Sequence, residues 1–240
     1  MGIVATKAIV LSALKYSDSS LIVKCFTKEA GLKSYMLRGV LKAKKGKLKA
    51  AYFQPLTQLQ LIANHSNRTT LNSIKEVQRF YPYETIHTSI IKQSIVLFLS
   101  EVLSGIIKEE ETNVQLYDFL ETAFIWLDTH DSISNFHLLF LLELSKFLGF
   151  YPGGIYDEAK AFNLVEGRFT VMSHETLTVS GENFRSFKKL LGMNFDRIHD
   201  VAFSKSERQT ILKIIIRYFE LHLDGFKEPN SLRVLETVFT

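Results

Sequence analysis

The chain of 240 residues is 46% hydrophobic and 22% charged, with a net charge of +4. This is the balance of a globular protein with ample length for one large core or two small ones, and it excludes a disordered tail or a fibrous repeat. Cys25 is the only cysteine, which excludes an intramolecular disulfide and a multi-cysteine zinc site, so no metal or other cofactor is expected.

The apolar runs at 95–99 and 136–142 end well short of the ~18 residues of a membrane span. Met1 to Lys7 lacks a positive segment followed by an apolar one, so a cytoplasmic protein is expected. Charge is divided unevenly. Residues 1–80 carry 14 Lys and Arg against Asp18, Glu29 and Glu76, a balance of +11, whereas residues 81–240 carry 15 against 22, or −7. Such asymmetry points the first part at a polyanion and the second at solvent or a protein.

In chain order, the first 80 residues read as short strands between turn signals. Ala8 to Leu14 is an apolar β-type run, and Leu21, Val23 and Cys25 share one face at period two. Gly31-Leu32 restarts the chain into Lys33 to Arg38, Thr57, Leu59 and Leu61 alternate with Gln58 and Gln60, and Thr69 to Val77 supplies a fifth strand. Five such strands without a long helical pattern suit a small closed barrel, of which the five-stranded OB-fold is one solution.

Beyond Tyr81-Pro82-Tyr83 the period becomes helical, which predicts an α+β protein of two domains, 1–80 and 81–240. Ile86, Ile90, Ile91, Ile95, Leu97, Phe98 and Val102 make a helix apolar enough to be buried on more than one side. A second helix is predicted from the capping-box pattern Thr112-Asn113-Val114-Gln115 through Trp126, and a third from Ser134 to Leu148, stopped by Gly149 and Pro152. From about 151 to 180 the helical period is lost, and 162–164 with 168–171 flank the turn-forming Glu166-Gly167 as a small hairpin insertion would. Helices resume from Glu182 to Leu191 and after the capping box Ser204-Lys205-Ser206-Glu207, where Ile211, Ile214, Ile215, Tyr218 and Phe219 line one stripe. A last, short helix is read near Ser231 to Val238.

Chemistry concentrates between the third and fourth strands. Arg38, Lys42, Lys44, Lys45, Lys47 and Lys49 place six cations in twelve residues with no acid among them. Lysines this dense repel one another and project into solvent until an anion neutralises them, and nucleic acid is such an anion. A merely solvated hairpin tip is the plainer alternative, and the surrounding charge of +11 favours the functional one. Lys33 joins the candidate set. Of the aromatics flanking the loop, Tyr52 and Phe53 are assigned to the core and Tyr35 is the candidate for stacking on a base.

Enzymatic signatures are missing. Gly39 and Gly46 are too far apart for a phosphate-binding Walker loop, and Lys47 is followed by Leu48 instead of Ser or Thr. The seven histidines form no metal-ligating pair, and Glu109-Glu110-Glu111 reads as a solvated helix end. Cys25 reads as a small core residue. No catalytic and no metal-binding residue is assigned.

Several segments nevertheless form a recognisable set. Ile9-Val10-Leu11, Ser20 to Val23, Phe26-Thr27-Lys28-Glu29-Ala30-Gly31-Leu32, Arg38-Gly39-Val40 and Phe53-Gln54-Pro55-Leu56 resemble the opening of the bacterial RecO family. Leu148 to Pro152, Tyr218 to His222 and Ser231 to Leu235 sit where that family has similar segments. The resemblance implies a non-enzymatic recombination mediator with an N-terminal OB-fold and a helical C-terminal domain. Such a protein binds single- and double-stranded DNA, anneals complementary strands, helps load the RecA recombinase, and works with RecR and the acidic C-terminal tail of the single-stranded DNA-binding protein. Arg38 and Lys42 to Lys49 are the positions carried over as DNA-binding. Many relatives carry four cysteines after the Leu-Gly-Tyr/Phe-x-Pro segment; 151–180 has none here, which leaves the hairpin to be held by apolar contacts alone.

Two other readings compete. In one, the acidic helical part docks repair proteins and intrinsic DNA binding is weak. In the other the lysines hold an anionic membrane surface, against which the lack of an amphipathic anchor beside the loop argues.

Overall fold

The structure, a computed structural model, describes residues 2–42, 48–66, 70–108, 111–154, 158–171 and 177–238. It divides into two compact units, Met1–Thr129 with Pro229–Ser231, and His130–Glu228 with Leu232–Thr240.

The first unit is built on five strands: β1 (Gly2–Lys15), β2 (Leu21–Thr27), β3 (Gly31–Leu37), β4 (Gln58–His65) and β5 (Leu71–Tyr81). β1 serves two neighbours. Its first part, Gly2 to Ile9, pairs antiparallel with β4, and its second, Ala8 to Lys15, pairs with β2, with a register shift between Val10 and Ser12. Such a bulge bends a strand, which lets one long strand turn the corner between two sheets. β3 then pairs in parallel with β5 at Ser34↔Leu71 and Tyr35↔Asn72, and the order β1-β2-β3-β5-β4 closes on β1. This is the five-stranded Greek-key arrangement of an OB-fold. Ala8, Val10, Val23, Cys25, Tyr35, Leu37, Leu59, Leu61, Ala63 and Ile74 fill its interior. Cys25 is fully buried there, and burial pushes its thiol pKa up, so it acts as the small core residue its apolar pattern predicts.

Two helices complete this unit, α1 (Ile90–Ile106) and α2 (Val114–Thr129). α2 covers one side of the barrel: Lys7 Nζ meets both Glu121 carboxylate oxygens at 3.1 Å, Lys28 Nζ donates to Asp118 at 2.6 Å, and Gln58 Nε2 donates to the Glu121 carbonyl at 2.9 Å. Phe26 and Tyr117 pack between them with ring centroids 6.0 Å apart. The start of α2 differs from the capping box read in the sequence. Asn113 is the residue that caps it, its Oδ1 accepting from Leu116 N at 2.9 Å. α1 buries Lys92, Ile95, Phe98, Leu99, Val102 and Leu103, but Ile90, Ile91 and Leu97 are exposed. Burial on more than one side is as expected, since Ser94, Val96 and Ser100 are buried too, and only a narrow stripe through 90, 93 and 97, together with Ile91, is left exposed.

The second unit holds α3 (Phe136–Phe147), a three-stranded sheet of β6 (Ala161–Asn163), β7 (Arg168–Thr170) and β8 (Thr178–Ser180), then α4 (Gly181–Leu190), a 3₁₀ turn at Phe195–Asp200, α5 (Lys205–His222) and α6 (Leu232–Val238). β6 and β7 form the hairpin expected around Glu166-Gly167, and β8 adds an edge in the order β7-β6-β8 that the sequence pattern did not reveal. Aromatic packing holds the insertion. Phe162 lies 5.0 Å from Phe169, 5.2 Å from Phe187 and 5.4 Å from Tyr218, and Phe169 lies 5.9 Å from Phe184. Ser204 and Glu207 make the reciprocal capping box that starts α5.

Gly167 at the hairpin turn has φ +66°, and an added Cβ would stand 2.6 Å from Tyr218 Oη. That hydroxyl is itself committed, donating to the Phe150 carbonyl at 2.5 Å. Gly167→Ala therefore combines left-handed backbone strain with overpacking, and a loss of roughly 2–4 kcal/mol is expected. A thermal melt checks it; an unchanged melting temperature would show that the turn relaxes freely.

Candidate nucleic-acid interface

The register of β2 and β3 sorts their side chains into two sets. Val23↔Tyr35 and Leu21↔Leu37 face the barrel interior, while Ile22↔Met36 and Lys24↔Ser34 face out. Arg38, one step beyond Leu37, continues the outward set and is exposed, as is Lys24. The β2–β3 face and the loops at its edge are where OB-folds take oligonucleotides.

Beyond Arg38 the chain turns sharply. Gly39 adopts φ +70° and its carbonyl accepts from Lys42 N at 3.2 Å. Val40 is buried in the barrel core, and Leu48 packs against the same core from the far end of the loop. These two apolar residues anchor the described ends of the segment on the barrel. Arg38, Lys42 and Lys49 are exposed, and among the described residues no acid pairs with them or with Lys24. Lys44, Lys45 and Lys47 lie outside the described residues. Lys49 opens the 3₁₀ turn Ala50–Phe53, accepting from Tyr52 N at 3.0 Å, and Phe53 is buried.

Lys33 and Tyr35 fall elsewhere. Both belong to the inward-facing parity of β3. Tyr35 is 0% exposed and its hydroxyl meets His65 Nε2 at 2.9 Å, so it has no free face for a base and drops out as a stacking residue. Lys33 is half-buried on that same parity, away from the face that carries Lys24 and Arg38. Its charge, after burial, helps hold His65 below the ordinary histidine pKa. The N-terminal excess of +11 is also not all available. Lys7 and Lys28 are matched by Glu121 and Asp118 of α2, and the hydrogen bond that Lys28 donates to Asp118 raises the Lys28 pKa.

One exposed aromatic at this edge is not marked by the charge pattern. Tyr16, at the tip between β1 and β2, is 65% exposed. The signal for it was an aromatic directly preceding the turn residues Ser17-Asp18-Ser19-Ser20.

Family models account for both parts of the chain. "Recombination protein O N terminal" matches residues 1–83 and "Recombination protein O C terminal" matches residues 87–232. Curated proteins named DNA repair protein RecO are similar along the whole length. Those of Flavobacterium psychrophilum and Flavobacterium johnsoniae are each 48% identical over 237 residues, 99% of this chain and 99% of theirs. That of Bacteroides fragilis is 37% identical over 239 residues, 98% of each. No described helix is long and apolar enough to cross a membrane. With both halves matched and near-full coverage at this identity, the chain belongs to the RecO family of DNA repair proteins.

Proposed function

We propose that this chain is a non-catalytic recombination mediator of the cytoplasm that binds single- and double-stranded DNA, anneals complementary strands and helps load RecA recombinase. The strand-built part, residues 1–80, holds the DNA, and the helical part, 81–240, docks proteins, among them RecR and the acidic tail of the single-stranded DNA-binding protein. One observation carries the reading: the exposed cations Lys24, on the outer face of β2, and Arg38, Lys42 and Lys49, in the segment after β3, stand without acidic partners among the described residues of an OB barrel. Lys44, Lys45 and Lys47 continue the run in sequence.

The mechanism is charge neutralisation. Two strands approaching each other are opposed by their phosphates, and a set of lysines between them replaces condensed counterions and lowers that repulsion. Bases then meet and pair with no covalent chemistry. Arg38 and Lys42, held by the Gly39 turn, act as fixed contacts that position the backbone.

The test is the annealing rate of two complementary naked strands with and without the protein, alongside fluorescence-anisotropy binding of one labelled strand over a range of salt. Accelerated annealing together with steeply salt-dependent binding is the expected result. Failure to bind at low salt would overturn the mediator mechanism and leave the reading in which the helical part serves as an adaptor.

A further inference from the structure

The β1–β2 turn and the turn that follows β3 are fastened to each other. Leu41 N donates to the Ser19 carbonyl at 3.0 Å and Gly39 N to Ser20 Oγ at 3.4 Å. The β1–β2 turn is closed on itself by Tyr16 N to the Ser20 carbonyl at 3.0 Å, with Ser17 and Ser20 exchanging backbone hydrogen bonds at 3.4 Å in each direction. Tyr16 thus projects from a braced turn, not a loose tip. It is 65% exposed and Leu14, two residues before it, is 62% exposed. Lys15 stands between them, and Arg38 and Lys42 bound the adjoining turn.

A single exposed aromatic is ordinary on a protein surface. This one differs in its surroundings: a rigid mount, an apolar neighbour, and exposed cations on the turn bonded to its own. Single-strand sites combine a cationic track for the backbone with an aromatic face for a base, and the two must be adjacent to act on one strand. Tyr35 cannot supply that face because the barrel encloses it.

We infer that Tyr16 is the base-stacking platform of this chain, taking an unpaired nucleobase of a single strand whose phosphates lie along Arg38 and Lys42. This rests on the DNA-binding reading and adds to it a contact that a duplex, with its bases stacked inside, does not offer. Stacking is tolerant of base identity because every base has a π-face, so the platform reads strandedness instead of sequence.

The test uses the full chain, Tyr16→Ala and Tyr16→Phe, with three probes: a short oligothymidylate, a base-free deoxyribose-phosphate strand of the same length, and a blunt duplex. Tyr16→Ala is expected to weaken oligothymidylate binding about 5- to 150-fold, the range for one stacked base. Its salt slope stays unchanged because no charge is lost. Tyr16→Phe keeps the ring and retains wild-type affinity. The base-free strand and the duplex are bound equally by wild type and Tyr16→Ala. Equal weakening on all three probes would make Tyr16 a structural support of the turn and overturn the inference, as would undiminished oligothymidylate binding by a folded Tyr16→Ala. Both outcomes leave the DNA-binding reading standing, whereas a wild type that binds none of the probes defeats that reading and the inference together.

Discussion

Replacing Asp128 by alanine is expected to lower the unfolding free energy by about 3–5 kcal/mol, the cost of stripping the partner from a buried, hydrogen-bonded charged site. Asp128 sits at the end of α2, only 2% exposed. Its carboxylate accepts the backbone N–H groups of Glu84 at 3.0 Å, Thr85 at 2.9 Å and Ile86 at 2.9 Å. These residues join β5 to α1, so one side chain pins the passage between strands and helices to the far end of α2. Lys92, 3% exposed, completes the cluster by donating to Thr85 Oγ1 at 2.7 Å and to the Asp128 carbonyl at 2.9 Å.

Truncation would leave three buried backbone N–H groups without their carboxylate, while Lys92 keeps its bond to the carbonyl of residue 128. Asp128→Asn keeps one acceptor oxygen and should lose less. Both are read as shifts of the denaturant midpoint at constant m. A loss under 1 kcal/mol in the alanine variant would mean that water replaces the carboxylate at little cost.

The same residue sets an acid limit. Burial alone would raise the Asp128 pKa, but the hydrogen bonds from Glu84, Ile86 and Thr85 outweigh it and hold the carboxyl below the ordinary aspartate value. A folded-state pKa below the unfolded one adds stability that is fully present above the unfolded value of about 3.9 and is lost as the pH falls through the folded pKa. Stability of the wild type should therefore fall more steeply with acid than that of Asp128→Ala in the window below pH ~4.

The second large effect concerns the basic loop. If five to eight cations contact single-stranded phosphates, counterion release gives a log–log salt slope of roughly −3.5 to −5.5. Lys44→Ala/Lys45→Ala/Lys47→Ala should then flatten that slope by about 2 and, near 0.1 M salt, weaken binding roughly 100-fold, since each lost contact removes about 0.7 of a log unit per decade of salt. Stability should be little affected, because replacing closely spaced like charges removes mutual repulsion. An unchanged slope would show that these three lysines do not touch phosphate and would shift the contact to Lys24, Arg38, Lys42 and Lys49.

Much of this architecture was legible because its signals are local. The five strands, the helices and the Ser204–Glu207 box depend on alternation, apolar stripes and capping residues within a few positions of one another. β8 escaped because three residues, Thr178 to Ser180, carry too little pattern to distinguish a strand from a loop. On α1, Ile90, Ile91 and Leu97 were read as buried because hydrophobicity names a residue's preference, and a helix so rich in apolar residues exceeds what one flank can cover.

The division between sequence and tertiary structure is sharpest on β3. Composition and charge by themselves concentrate the positive charge in the first 80 residues and most densely between Arg38 and Lys49, which is the basis of the proposed polyanion contact. They were not enough to assign parity to Lys33-Ser34-Tyr35-Met36-Leu37-Arg38, where a lysine stands on one face and a methionine on the other, so alternation has no clean sense. Pairing with Val23 and Cys25 on β2 decided it: a one-residue change of register reverses every side chain of a strand. Closure of the barrel therefore buried Tyr35, turned Arg38 to the same outer face as Lys24, and brought the Tyr16 turn into hydrogen-bonding contact with the turn at Gly39.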